Sequence, residues 1–253
     1  MVTGVGEMSR QREVAAWGGS VGWQRGATAY NGAMPALSHQ PSTDAAMQWF
    51  ALPAGRAVLD SETTVVADAL AAHPVIGLPW LWLSPSLEGE APEGRGLRLA
   101  ASGTGWAGAI RCGFPLPLPS ESLGAIVLQH VPGEGPGEAA ALLEECARVL
   151  VPGGRLALLA LNPHSPYRLR WRGRRLIARE PVAWRRLIAD AGLAPEPAAQ
   201  GIGPQWSPTA SPTLQSGVGL RAAFLQRAEK RALPITPIRP RLPLAIAEGV
   251  PAA

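Results

Sequence analysis

The chain has little cysteine and almost no lysine: two thiols, Cys112 and Cys146, and a single Lys230 in 253 residues. Two cysteines so far apart make neither a disulfide framework nor a metal-ligand set. A stapled secreted miniprotein and a zinc ribbon are excluded, and no metal is expected. Long hydrophobic runs are also missing. The longest uncharged apolar stretch, residues 75–83, has nine members, half of the ~18 that a membrane span needs. Glu7, Arg10 and Arg12 stand near the N-terminus without an apolar segment behind them, so no secretory signal is expected. Neither a Gly-x-Ser-x-Gly elbow, nor a P-loop, nor His-Glu-x-x-His occurs. Hydrolase, nucleoside triphosphatase and metalloprotease readings therefore lack support. A cytoplasmic location with no membrane partner is the expectation.

What is present allows a sizeable core, since 47% of the residues are hydrophobic and a chain of this length can bury them without disulfides. The 29 glycines and 26 prolines make up over a fifth of the chain, against about 12% in average proteins. With arginine supplying nearly all the positive charge, this bias points to a GC-rich coding sequence. A net charge of +4 is small for the length and does not by itself argue nucleic-acid binding.

Periodicity divides the chain. Residues 1–33 show scattered glycines and no repeat of apolar positions, so 1–41 reads as a disordered leader, with Met34 and Met47 as candidate later starts. Residues 234–253, with Pro234, Pro237, Pro240 and Pro243 around Arg239 and Arg241, read as a basic extended tail. The folded domain is expected over 42–233. Asp60 is placed as the cap of a helix running to Ala72, with Pro74 as its breaker. Residues 78–83, 97–101 and 109–112 read as three short strands, and Trp80 and Trp82 share one face of the first. Residues 125–130 form an apolar run consistent with a buried strand. A helix over 138–150 follows, with Leu143, Cys146, Ala147 and Leu150 on one stripe. Pro152, Gly153 and Gly154 stop it, and 155–161 reads as a second buried strand. Strand, helix and strand make a βαβ unit and imply a parallel sheet. A further helix is expected over 181–191, ending at Gly192. The whole is an α/β domain of three layers.

Residues 116–131 (Leu-Pro-Leu-Pro-Ser-Glu-Ser-Leu-Gly-Ala-Ile-Val-Leu-Gln-His-Val), followed by 148–156 (Arg-Val-Leu-Val-Pro-Gly-Gly-Arg-Leu), resemble the class I S-adenosylmethionine-dependent methyltransferases. More narrowly they resemble the type 11 methyltransferase domain. Asn162-Pro163 with the basic stretch 168–175 is similar to one bacterial branch, and 184–192 resembles that family's helix ending in Ala-Gly-Leu. The good match covers 112–170. The resemblance implies a Rossmann-like methyltransferase sheet, mostly parallel, with S-adenosyl-L-methionine as cofactor and methyl transfer to an unidentified acceptor. It also shows where the sequence departs. The glycine-rich loop after the first strand is replaced by Ser84-Pro-Ser-Leu-Glu-Gly89. The ribose-binding acid is absent from the neutral 100–102, Cys112 stands at the adenine acid, and Gly124 stands for the Asp of Ser-Phe-Asp. A catalytically inactive relative that acts as a binding or scaffold module is therefore the alternative.

In parallel sheets ligands collect at the carboxyl ends of the strands. That rule, with the resemblance, nominates Ser84, Cys112, Gly113, Leu116, Gln129 and His130 for the cofactor, and Asn162, Arg168 and Arg170 for the substrate. His130 is either a general base or a strand-end hydrogen-bonding group. Arg168, Arg170, Arg172, Arg174 and Arg175, interleaved with Tyr167 and Trp171, suit an anionic acceptor or a nucleic-acid backbone; the other reading is a solvated loop. Gly103-Thr-Gly-Trp-Ala-Gly108 matches the dinucleotide fingerprint, but Gly113, Pro115, Pro117 and Pro119 leave no helix for a phosphate. A β-hairpin is expected there.

Overall fold

A computed structural model describes residues 47–72, 77–90, 92–103, 105–131 and 136–231. The leader over 1–41, the proline-rich tail over 234–253 and Pro74 lie outside them.

The first helix begins earlier than Asp60. A 3-10 turn, Trp49–Ala51, leads into α1 (Pro53–Ala71). Pro53 starts the helix because its fixed φ suits the first turn, where its missing N–H costs nothing. Asp60 lies inside α1 and caps nothing. The buried positions Val58, Ser61, Glu62, Val65 and Val66 recur at helical spacing and turn one stripe to the sheet.

Two strands follow, β1 (Trp80–Ser84) and β2 (Gly96–Ser102), parallel to each other. No helix occurs among the described residues of the loop between them. β2 then folds back on β3 (Gly105–Gly108), which pairs with β4 (Arg111–Cys112). The fingerprint-like glycines are thus a hairpin, with Ser102 opposite Gly105 and no helix N-terminus following the turn.

The βαβ unit consists of β5 (Leu123–Gln129), α2 (Pro136–Val149) and β6 (Leu150–Leu161). Pro152, Gly153 and Gly154 do not separate helix from strand. β6 starts at Leu150, and the three residues form an irregularity between the Leu123–Leu150 and Ala125–Arg155 pairs. Gly153 has φ +81° there, a conformation that favours glycine.

After a second 3-10 turn, Pro166–Arg170, come α3 (Pro181–Asp190), β7 (Ala194–Pro195), β8 (Gln200–Ile202), β9 (Gln215–Ser216) and β10 (Ala223–Glu229).

The sheet order is β4-β3-β2-β1-β5-β6-β10-β8-β9, with β7 pairing onto β10. The four central strands are parallel, whereas the added strands on both flanks are antiparallel. Alternate residues separate two cores, as the pleat requires. Leu81, Ile126, Leu158 and Phe224 meet α2 and α3 through Leu143, Cys146, Trp184 and Ile188. Trp80, Trp82, Val127 and Leu159 meet α1 and the first 3-10 turn through Val58, Val66, Trp49 and Phe50. This is a three-layer α/β, Rossmann-like sheet, parallel at its centre.

One clamp fixes the approach to β5. Leu116 N–H donates to Glu145 Oε1 at 2.7 Å, and Arg148 donates to the Leu116 and Leu118 carbonyls while gripping Glu145 at 2.6 and 2.8 Å. The Arg148 hydrogen bonds, against some desolvation, hold the Glu145 carboxyl below the usual range. A depressed carboxyl stabilises the fold above its unfolded value of about 4.3, and the contribution is lost as pH falls through the lower folded value. Glu145→Gln should cost about 1–2 kcal/mol at pH 7. In urea titrations the gap between wild type and variant should narrow as pH falls below about 4. A gap that does not change with pH would refute the assignment.

Candidate functional site

The chain leaves β1 toward β2 on one side and returns at β5 on the other, so β1 and β5 flank a topological switch point. Ligand crevices of open α/β sheets lie at such a point, outside the carboxyl ends of the strands. Ser84 ends β1, Gln129 ends β5 and His130 follows it.

These side chains belong to a buried polar chain. Trp82 Nε1–H donates to Gln129 Oε1 at 3.0 Å, and Gln129 Nε2 donates to Glu62 Oε2 at 2.8 Å. His130 Nε2 lies 2.9 and 3.0 Å from the two Glu62 oxygens. Glu62 is 0% exposed, so the packing of α1 on the sheet encloses a carboxylate bonded to two β5 residues. His130 has φ +45°, a left-handed conformation rare for a residue with a side chain. Its ring stacks on Phe50 with centroids 4.7 Å apart, and its buried Nδ1 has no partner among the described residues.

The loop after β1 is built differently from a phosphate- or cofactor-cradling turn. Arg98 stands over the Trp82 ring at 3.9 Å and donates to the carbonyls of Ser86, Glu88 and Gly89. Burial lowers the pKa of that guanidinium. The loop thus lies over the sheet face where a crossover helix would pack. The small cleft beneath it, about 230 Å³, is lined by Asp60, Thr63, Trp82, Pro85, Glu88 and Gln129 among others. It falls below the roughly 300–1,000 Å³ usual for small-molecule sites.

The cofactor implied by the resemblance needs free backbone amides in this loop. Pro85 has none, and the Glu88 N–H is taken by Ser86 Oγ at 3.0 Å. Ser84 Oγ donates to the Ser86 carbonyl at 2.6 Å. A Cβ on Gly89 would meet nothing within 4 Å, so that glycine serves its φ of +89° and not a close approach. At Pro85 and Glu88 the loop therefore offers a cofactor no free amide.

The other nominated residues are scattered. Cys112 and Gly113 lie at and just beyond the end of β4, the sheet's edge strand, with β3 and β2 between it and β1. The Cys112 thiol is half-buried, and burial raises its pKa. A Cβ on Gly113 would enter open space. Leu116 is buried in the core, its amide and carbonyl both engaged by α2. Asn162 holds the last loop together: its Nδ2 donates to the Gly219 and Arg221 carbonyls, and its Oδ1 accepts from His164 N–H. Arg168 is exposed, and exposed Arg170 donates to the Trp206 carbonyl at 2.9 and 3.1 Å. Sequence reasoning missed Glu62, although its place on the apolar stripe between Val58 and Val65 was a usable signal.

No family model matches the chain, and no curated protein matches it in sequence. Solved structures similar to it include an S-adenosylmethionine-dependent methyltransferase from Thermotoga maritima. The identity is 14% over 73% of this chain and 94% of that one, with a TM-score of 0.47. Another is a methyltransferase of the same kind from Archaeoglobus fulgidus, 11% identical over 69% and 94% of the two chains, TM-score 0.44. A third is the geranyl diphosphate C-methyltransferase of Streptomyces coelicolor, holding S-adenosylhomocysteine, at 14% over 66% and 79%, TM-score 0.43. No activity, ligand or substrate passes to this chain from likenesses at that level.

Proposed function

We propose that the chain is a cytoplasmic methyltransferase-fold protein that acts as a binding or scaffold module without transferring methyl groups. The loop after β1 carries this reading. Pro85 offers no amide, the Glu88 amide is occupied, and Arg98 fastens the loop to the sheet by three carbonyls. Calorimetric titration of the full chain with S-adenosylmethionine and S-adenosylhomocysteine should give no heat, and millimolar cofactor should leave the melting temperature unchanged. Micromolar affinity would overturn the proposal.

The switch-point crevice favours a second reading, S-adenosylmethionine-dependent methyl transfer to an unidentified, anionic acceptor. Ser84, Cys112, Gly113, Leu116, Gln129 and His130 would then serve the cofactor, with Asn162, Arg168 and Arg170 on the acceptor side. Micromolar binding weakened by a bulky residue at Gly113 would support it.

A further inference from the structure

We propose that the surface around the Pro166–Arg170 turn docks the protein onto an anionic lipid surface. The turn is rigid. Ser165 caps it by accepting from Tyr167 N–H, Tyr167 is buried with its hydroxyl donating to the Ala54 carbonyl, and Trp49 Nε1 donates to the Arg170 carbonyl. Two distant loops are fastened to its ends. Ser165 Oγ donates to the Leu220 carbonyl at 2.8 Å, and the Arg170 guanidinium holds the Trp206 carbonyl. Three large apolar side chains are thereby exposed around one five-residue turn: Leu169 at 72%, Trp206 at 65% and Leu220 at 51%.

Charge surrounds them. No Asp or Glu occurs from Leu161 to Arg179. Arg168, Arg170, Arg172, Arg174 and Arg175 are exposed and make no ion pair among the described residues. The acid next in sequence, Glu180, sits 3.3 Å from His164.

Exposed arginines fit any polyanion, so the apolar residues decide between partners. Leucine side chains gain nothing from a phosphodiester backbone, whereas leucine and tryptophan flanked by arginine suit the boundary between headgroups and acyl chains. Among the described residues no helix is long and apolar enough to cross a membrane, so the contact is peripheral. It does not involve the cleft under Arg98.

The test is co-sedimentation of the full chain with vesicles of phosphatidylserine and phosphatidylcholine in equal parts, against phosphatidylcholine alone, at low and high salt. Binding is expected to the anionic vesicles only. Each arginine near such a surface strengthens attachment about five-fold. Joint replacement Arg168→Gln, Arg172→Gln and Arg174→Gln should therefore weaken it about a hundred-fold. Leu169→Asn with Leu220→Asn should abolish the part that survives high salt, at unchanged charge. All five positions are exposed, so an unchanged melting temperature checks the fold. Absence of binding to the anionic vesicles by the wild-type chain would overturn the proposal. So would a single-stranded oligonucleotide that binds more tightly and is indifferent to Leu169→Asn, which would assign the surface to nucleic acid.

Discussion

Replacing Glu62 by alanine is expected to destabilise the protein by about 3–5 kcal/mol, the range for breaking one side of a buried polar pair. Among the described residues the carboxylate alone accepts from the Gln129 amide nitrogen and meets the His130 ring, at 2.8, 2.9 and 3.0 Å, and all three side chains are buried. Its removal leaves the amide and the imidazole without partners, and each orphaned group costs roughly 1–3 kcal/mol in a site that water does not reach. The loss also spreads to Trp82, whose indole N–H is held by the same Gln129. Glu62→Gln keeps the shape and one acceptor oxygen but points an amide group at another donor, so about 1–3 kcal/mol is expected. The double replacement Glu62→Leu with His130→Leu removes both partners and should cost less than the two single changes together. Urea denaturation of these variants decides the matter. A Glu62→Ala protein within 1 kcal/mol of wild type would show that solvent replaces the carboxylate, and that the network is not a sealed part of the fold.

The same network marks the boundary of what the sequence could reveal. Apolar runs at 125–130 and 155–161 and the stripe on α2 are legible because both faces of a central parallel strand are buried, and such strands read as continuous hydrophobic segments. The start of α1 was not. Asp60 resembles a cap, but Leu52-Pro53 opens the helix about two turns earlier and leaves Asp60 inside it, on an exposed position. The flank strands β7 to β9 escaped because they are two or three residues long, and β10 because polar residues interrupt it. Gln226, in the middle of β10, is fully buried, its amide donating to the carbonyls of Glu196 and Arg227. No periodicity announces a buried glutamine whose amide reaches one carbonyl thirty residues away and another on the adjacent residue. At the site, Gln129 and His130 were found by the rule that ligands gather at strand ends. Their shared acceptor, Glu62, comes from a helix far earlier in the chain, and the left-handed φ of His130 is a property of folded context that composition does not carry.

Phe224→Ala is expected to cost about 3–5 kcal/mol, the range for emptying a buried phenylalanine site. For a domain of this size that corresponds to a fall in melting temperature of about 10 °C or more. Phe224 is fully buried in the core shared with α2 and α3, and its strand pairs with Ala160 on one side and Gly201 on the other. β10 alone connects β8 and β9 to the rest of the sheet. The cavity therefore weakens the element on which the whole flank depends, while β1, β2 and β5 keep their pairings. Hydrogen exchange should show this asymmetry. Amides of β8 and β10 should lose protection well before those of β1 and β5, because opening the flank does not require opening the centre. Uniform loss of protection across the sheet would contradict the picture and make the domain a single cooperative unit. If the flank does open first, the crevice at β1 and β5 should stay intact in the variant. The Trp82–Gln129–Glu62–His130 chain could then be probed in a protein whose outer strands are already loosened.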